Sequence, residues 1–396
     1  MPLQLRRPPA TPRGATVDAD VAVVGGGPAG LAAAIAAARR GLRAIVLERR
    51  DWPQDKACGE GLMPAGVRAL ERLGVRALID PQMCAPFAGV RYVQEDGSFA
   101  QARFPTAGGD GLGVRRPALS VALLQRAREL GVALRARARV QRLRRRPTDV
   151  ALDLQDGAPV YARLVVAADG LASPLRRSEG LEAAARGPRR YGLRRHYQRT
   201  AWSPLVEVHF AAHVEAYVTP TGADCVGVAF LWEDGAVPQP VSYESLLARF
   251  PRLREQLAGA PCASEPRGAG PFLRRARART AERLVLLGDA GGYVDAITGE
   301  GLSLAFHCAE ALGAILPAAL ARGATRASLA AYERAYARAF RSYALLSHSL
   351  LVLSRHPRLR RHVVRQLGRM PQLFSTLLAW LAREPSLPAA DAVALR

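Results

Sequence analysis

Lysine is almost missing from this chain. Of its 56 cationic residues only Lys56 is a lysine, and the other 55 are arginines spread along the whole length. A formal charge of +22 would ordinarily point to a phosphate backbone or an anionic membrane. Dispersed arginine with no groove-reading motif and no aromatic-interleaved basic patch reads instead as a coding bias, so no nucleic-acid partner is expected. Cysteine is scarce as well. Cys58, Cys84, Cys225, Cys262 and Cys308 stand far apart without a CxxC pair, which argues against a disulfide framework and a metal site and fits a reducing, cytoplasmic compartment. Neither end of the chain carries a long apolar run. Met1 to Ala15 is basic and carries prolines, without the apolar segment of a signal peptide; Tyr343 to Ser354 is broken by His348 and serines and is too short to span a bilayer. What remains is a globular composition, 49% hydrophobic and 23% charged over 396 residues, sufficient for two domains or for one large nucleotide fold with an inserted partner.

The clearest local pattern lies near the start. Val21 to Val24 is a β-branched run that ends in Gly25-Gly26-Gly27-Pro28-Ala29-Gly30 and leads into an alanine-rich helix, Leu31 to Arg40. In such a strand-turn-helix unit Gly25 permits the sharp turn, Gly27 lets the backbone approach a pyrophosphate, and Gly30 lets the helix pack on the sheet. The helix N-terminus then offers free N–H groups and a partial positive charge to the diphosphate. Arg43 to Leu47 makes a second strand ending at Glu48, where a carboxylate would accept the adenosine ribose hydroxyls. This unit alone does not separate NAD from FAD.

Two later segments repeat the theme of an aspartate at a strand's carboxyl end. Leu164 to Ala168 runs into Asp169 and Gly170, and Arg283 to Leu287 runs into Gly288 and Asp289, whose carboxylate suits a hydroxyl-rich sugar-alcohol chain. The glycine-rich stretch Gly291 to Gly301 precedes a helical pattern from Leu302 to Leu312, so a second helix N-terminus is expected there, with Gly299 and Gly301 allowing close approach of a ring. Gly108 to Gly113 carries glycines too, but without the β-run before and the helix after that a second dinucleotide site needs, so NADPH or NADH is expected only as a transient reductant.

These pieces together resemble the flavoprotein family of aromatic-ring hydroxylases and geranylgeranyl reductases, whose fold is that of p-hydroxybenzoate hydroxylase. The resemblance spans nearly the whole chain. It rests on the N-terminal fingerprint ending at Glu48, on Arg116 in Gly113-Val114-Arg115-Arg116-Pro117-Ala118-Leu119, on Asp169-Gly170 and on Gly288-Asp289. It implies an α/β fold: a Rossmann-like FAD-binding domain, an inserted antiparallel-sheet substrate domain and a C-terminal helical region. FAD is the implied cofactor, with Arg116 on its diphosphate or ribityl chain, Asp169 supporting the cofactor and the nicotinamide approach, and Asp289 on the ribityl hydroxyls. The expected boundaries are a tail at 1–17, the FAD domain at 18–90, 110–185 and 278–325, the substrate domain at 91–109 and 186–277, and helices over 326–396.

Within that family, Lys56-Ala57-Cys58-Gly59-Glu60-Gly61-Leu62-Met63-Pro64 is similar to the cysteine-glycine segment of the geranylgeranyl-reductase branch. Cys58 then reads either as a proton source beside the flavin or as a small packed residue. Val206 to Phe210, Glu215 to Pro220 and Val226 to Leu231 alternate as antiparallel strands, and the middle one puts Glu215, Tyr217 and Thr219 where prenyl reductases carry an aromatic pattern, with Tyr217 a candidate substrate contact. His196 reads either as an acid or base facing the substrate or as a packed side chain. The halogenase WxWxIP signature is absent. The expected activity is therefore monooxygenation of a small, largely apolar aromatic, polyketide or prenylated metabolite, with reduction of an activated alkene as the rival and a basic, membrane- or carrier-associated flavoprotein without turnover as a third reading. Near the end, Tyr332, Tyr336, Phe340 and Tyr343 recur at helical spacing as a core stripe. The arginines Arg355 to Arg369 followed by apolar Met370 to Ala382 read as a covering helix or as a seat on an anionic membrane or acidic carrier protein.

Overall fold

The computed structural model describes residues 17–381. The expected tail up to residue 16 and the last fifteen residues lie outside that range. Ala19–Val24 is fully sequestered between Val160–Ala167 on one side and Ala44–Leu47 on the other, all three parallel. Leu284–Leu286 extends the parallel set beyond Val160–Ala167, and Ala133–Arg135 extends it beyond Ala44–Leu47. Burial on both faces explains why these strands read as continuous Val, Ile, Leu and Ala rather than as alternation. The helix Pro28–Ala38 covers one face and is itself covered by Gly301–Ala321, the longer helix of which expected residues Leu302 to Leu312 are only the first half. Gly313 permits that crossing, since a Cβ there would stand 2.8 Å from the Ala36 Cβ. Gly301–Ala321 is apolar and long enough to cross a membrane by composition, yet it is mostly buried as the central core helix.

The arginine-rich strand Val140–Arg145 pairs only with Val150–Leu154 and forms an edge, where its charges discourage further pairing. A second sheet of seven strands is antiparallel apart from one pair. Its centre is Arg190–Gln198, Cys225–Glu233, Val214–Gly222 and Val206–Ala211, extended by Gly89–Val93 and Phe99–Arg103. The three alternating runs expected here are thus strands, each slightly longer than its sequence pattern. Two expectations change. A helix, Arg116–Glu129, does follow the glycines at 108–113, and those glycines lie partly in a strand, Gly111–Val114. They are there for packing: a Cβ on Gly111 would meet the Phe87 ring at 2.3 Å, and one on Gly113 the Pro220 carbonyl at 1.6 Å.

The chain closes with Ala330–Arg355, Pro357–Arg369 and Pro371–Leu381. Tyr332, Tyr336 and Tyr343 are buried as expected of a core stripe, and their hydroxyls also donate to backbone carbonyls of Leu286, Gly292 and Asp295. The first long C-terminal helix therefore holds the loop that leaves the parallel sheet.

Candidate functional site

All parallel strands end on one side of their sheet, and the glycine and acidic motifs collect there because each follows a strand. Gly25 has φ +108°, and a Cβ on it would stand 2.3 Å from the Ala168 carbonyl. At Gly30 a Cβ would lie 1.9 Å from the Gly25 carbonyl, so helix and strand meet at a distance only glycine allows. Gly27 between them has no protein atom within 4 Å of such a Cβ and faces outward. Gly25 makes the turn, Gly30 the close packing contact, and the space over Gly27 is open. Glu48 is buried, and its carboxylate accepts the N–H of Gly26 at 2.6 Å and of Arg50 at 3.0 Å. Each oxygen keeps a further lone pair for a ribose hydroxyl. Trp52, which sequence reasoning passed over, lies against Gly26 and donates its indole N–H to the Gly26 carbonyl at 2.9 Å.

Asp169 and Asp289 stand at the ends of neighbouring strands. The Asp169 carboxyl accepts the Leu175 N–H at 3.1 Å with one oxygen, while the other is buried with no partner among the described residues. Burial raises its pKa above the ordinary aspartate value. Gly170 adopts φ +83°, and Gly288, at φ +61°, brings the strand end to within a methyl group of Ala29. Asp289 is half-exposed, and the ammonium of Lys56 lies 3.6 Å from it. The one lysine of the chain thus bridges from the cysteine-glycine loop to the ribityl-site candidate.

That loop is gripped from the other domain. Thr219 donates to the Gly59 carbonyl at 2.9 Å, and Arg194 reaches Asp55 at 2.5 Å and the Lys56 carbonyl at 3.3 Å. Glu60 is 1% exposed and left-handed at φ +61°, which a non-glycine residue adopts only when its surroundings hold it there. Its carboxylate receives the Arg116 N–H at 2.9 Å, capping the N-terminus of Arg116–Glu129, and meets the His196 Nε2 at 2.5 Å. His196 does not face a substrate: it is fully buried, with Nδ1 3.0 Å from the Arg194 guanidinium and 2.9 Å from Ser264. A guanidinium has donors only, so Nδ1 accepts and the ring proton sits on Nε2, donated to Glu60. Of the two sequence readings for His196, the packed one describes it. Arg116 is buried at the helix start with its Nε unpartnered, and Cys58 is half-buried with its sulfur accepting the Glu60 N–H at 3.3 Å.

The glycine-rich stretch opposite is fixed by charge. Arg190 donates to Asp295 at 3.0 Å and to Glu215 at 2.7 Å, and all three are at least 96% buried. Burial pushes the Asp295 carboxyl up to about 6 against the opposing pull of Arg190. On the strand Val214–Gly222, residues 215, 217 and 219 share one face, and each serves a loop: Glu215 takes Arg190, the Tyr217 hydroxyl donates to the Ile297 carbonyl at 2.9 Å, and Thr219 holds Gly59. Tyr217 is partly exposed and lies where two apolar clusters meet, one with Met63, Tyr92 and Phe374, the other with Leu171, Val294 and Ile297. Gly299, at φ +68°, has open space where a Cβ would project. Gly301, expected to let a ring approach, instead makes room for Tyr293, whose ring would stand 3.1 Å from a Cβ there. Glu300 precedes the long core helix, and burial pushes its carboxyl up to about 7. Glu60, Arg190, Arg194, Asp295 and Glu300 all escaped sequence reasoning. The available signal was the alternation of Arg190, Arg194 and His196 on one buried strand face, which hydropathy reads as solvent-facing.

The residues fit the FAD that the resemblance implies. Gly27, Gly59 and Gly299 project onto ground where a Cβ would touch nothing, and a buried donor on Arg116 and a buried acceptor on Asp169 lack protein partners. An extended dinucleotide with phosphates and hydroxyls matches such a donor and acceptor set. A model of the FAD binding domain family matches residues 18–344. The chain is 29% identical to menaquinone reductase of Mycobacterium tuberculosis over 311 residues, 72% of this chain and 73% of that protein. It is 29% identical to digeranylgeranylglycerophospholipid reductase 1 of Methanopyrus kandleri over 340 residues, 81% and 87% of the two. Among solved structures, p-nitrophenol 4-monooxygenase of Pseudomonas putida shares the fold at a TM-score of 0.78 and 20% identity, over 93% of this chain and 99% of that one.

Proposed function

The chain belongs to the FAD-binding domain family, and from the premise that it is an FAD-dependent oxidoreductase we propose that it reduces a carbon–carbon double bond of an apolar, isoprenoid-type substrate. NADPH or NADH is the proposed transient electron source. Similarity to menaquinone reductase and to digeranylgeranylglycerophospholipid reductase, each over more than 70% of both chains, supports a reductase. The observation that carries the reading is the setting of Cys58. It is half-buried on the loop between Lys56 and Glu60, and the substrate sheet holds that loop through Thr219 and Arg194.

Bound flavin supplies a hydride equivalent. The balance is one hydride and one proton added across the double bond, with both electrons coming from NAD(P)H. The protein's part is to hold, to enclose and to protonate. Glu48, Arg116, Asp169 and Asp289 bind the dinucleotide; Thr219, Arg194 and the Glu60–His196 pair fix the loop that presents Cys58, the proposed proton donor. Tyr217, Met63, Tyr92 and Phe374 form the apolar side of the site, which keeps water from the reacting carbon.

Monooxygenation is the second reading. It is favoured by Glu215, Tyr217 and Thr219, which serve the loops at positions where prenyl reductases have aromatic side chains. Turnover with a panel of isoprenoid quinones, geranylgeranyl lipids, polyketides and phenols, run with and without oxygen and read by product mass, separates the two. A gain of two hydrogens that persists without oxygen, with kcat lowered in Cys58→Ala, is expected. An oxygen-dependent gain of one oxygen atom would replace the reductase by the monooxygenase.

A further inference from the structure

From residue 334 to residue 381 the chain has no aspartate or glutamate, while it carries Arg334, Arg338, Arg341, Arg355, Arg358, Arg360, Arg361, Arg365 and Arg369. This segment lies in the longest acid-free run of the chain. On the helix Pro357–Arg369 the exposed arginines are Arg358, Arg361, Arg365 and Arg369, spaced three, four and four residues apart, so they form one stripe. Arg365 pairs with Asp96; Arg358, Arg361 and Arg369 have no carboxylate partner among the described residues. Arg360, on the inner side, is 2% exposed and tied to Glu95 and Gln94. The helix is thus anchored inward by one arginine and presents four outward.

The next helix, Pro371–Leu381, has no charge at all. Phe374 and Leu378 are buried, and the Phe374 ring stacks on Tyr92 at 5.6 Å. Beside that seated side, Leu373 is 45% exposed and Leu377 43%, with Met370 45% exposed just before the helix. Their spacing of three and four puts them on one stripe. A basic stripe next to an apolar stripe, both outside the core, is the pattern of a segment lying in a headgroup interface.

We propose that residues 357–381 seat the protein on an anionic phospholipid surface, the arginines on the headgroups and Met370, Leu373 and Leu377 in the upper acyl region. An acidic carrier protein would satisfy the charge but gives no reason for three large apolar side chains in one stripe left in water, so the bilayer is the occupant these residues favour. Pro371–Leu381 has its other side on the apolar cluster of Met63, Tyr92 and Tyr217. A chain leaving the bilayer beneath this helix would therefore reach the site by passing along one helix. That last step rests on the apolar-substrate reading; surface binding does not.

The test is flotation of the purified full-length holoprotein with vesicles of phosphatidylcholine alone and of phosphatidylcholine with phosphatidylglycerol, and pull-down with an acidic acyl carrier protein. Binding to the phosphatidylglycerol vesicles that weakens as salt rises is expected. Replacing Arg358, Arg361 and Arg369 by glutamine should lower that partition by roughly a hundredfold, at about a kilocalorie per arginine. Leu373→Asn with Leu377→Asn should lower it at every salt concentration, with the flavin spectrum and thermal midpoint unchanged as evidence of folding. No flotation at low salt, flotation indifferent to both variants, or capture by the carrier protein without flotation would each overturn the proposal. Flotation without turnover of any isoprenoid substrate would sink the reductase reading and leave the membrane seat standing.

Discussion

The parallel-sheet side of the candidate site is made of backbone, whereas the antiparallel-sheet side is made of buried charged side chains. Around Gly25, Gly27 and Gly30 the absence of a Cβ does the shaping, and the polar contacts are backbone N–H groups on the Glu48 carboxylate. On the antiparallel-sheet side, the loops at 54–60 and 291–300 hang from Arg190, Arg194, His196, Glu60, Glu215 and Asp295, every one of them nearly inaccessible to water. Backbone is cheap to position, because the strand and helix that carry it are already formed. Buried charge is expensive, and its usual return is a single permitted arrangement rather than added stability. One side is thus shaped by close backbone approach, while the other holds two loops in one register.

That contrast is open to test, beginning with the largest expected effect. Arg190→Met leaves Glu215 and Asp295 facing each other without a cation, and should cost about 3–5 kcal/mol of folding stability in a denaturant titration. Adding Glu215→Leu and Asp295→Asn should recover much of it while the loops lose their fixed register. If the single variant is as stable as the parent, the ion cluster is not what holds these loops. Asp289→Ala should act on the other side alone. Loss of hydrogen bonds to one charged group predicts flavin affinity lower by roughly tenfold to a hundredfold, with the apoprotein midpoint unchanged. Unchanged flavin retention would count against the ribityl assignment.

The smallest effect is a dependence on pH. The Glu300 carboxyl titrates at about 7 in the folded chain, against an ordinary value of 4.5. Between those values the native state keeps a proton that the unfolded chain has released, so this group's contribution to stability falls as pH rises from about 4.5 to 7 and is fully lost above that. Glu300→Gln removes the dependence. Its thermal midpoint should match the parent's near pH 4.5 and exceed it at pH 8; a difference that does not grow with pH would mean that Glu300 is not a buried acid.

The legible part of this protein was the part whose physics is local. The run Val21 to Val24, the glycines after it, the acidic ends at Glu48, Asp169 and Asp289 and the three alternating runs from Val206 to Leu231 could each be read within a dozen residues, and each is a strand end or a strand in the structure. The helix at Arg116–Glu129 was missed after the glycines at 111 and 113, which lie in a strand packed on Phe87 and Pro220. Gly301 was misread for a similar reason, since its space is taken by Tyr293 from eight residues earlier.

Order along the chain was enough to specify the nucleotide fold, because side-chain period, turn residues and helix starts act over a few residues. Nothing local could announce that Arg190 would find Asp295, 105 positions away, or that His196 would find Glu60, 136 away. Each of those residues alone looks like a surface group. Only the packing of one sheet against the loops of the other removes their water and makes their pairing compulsory.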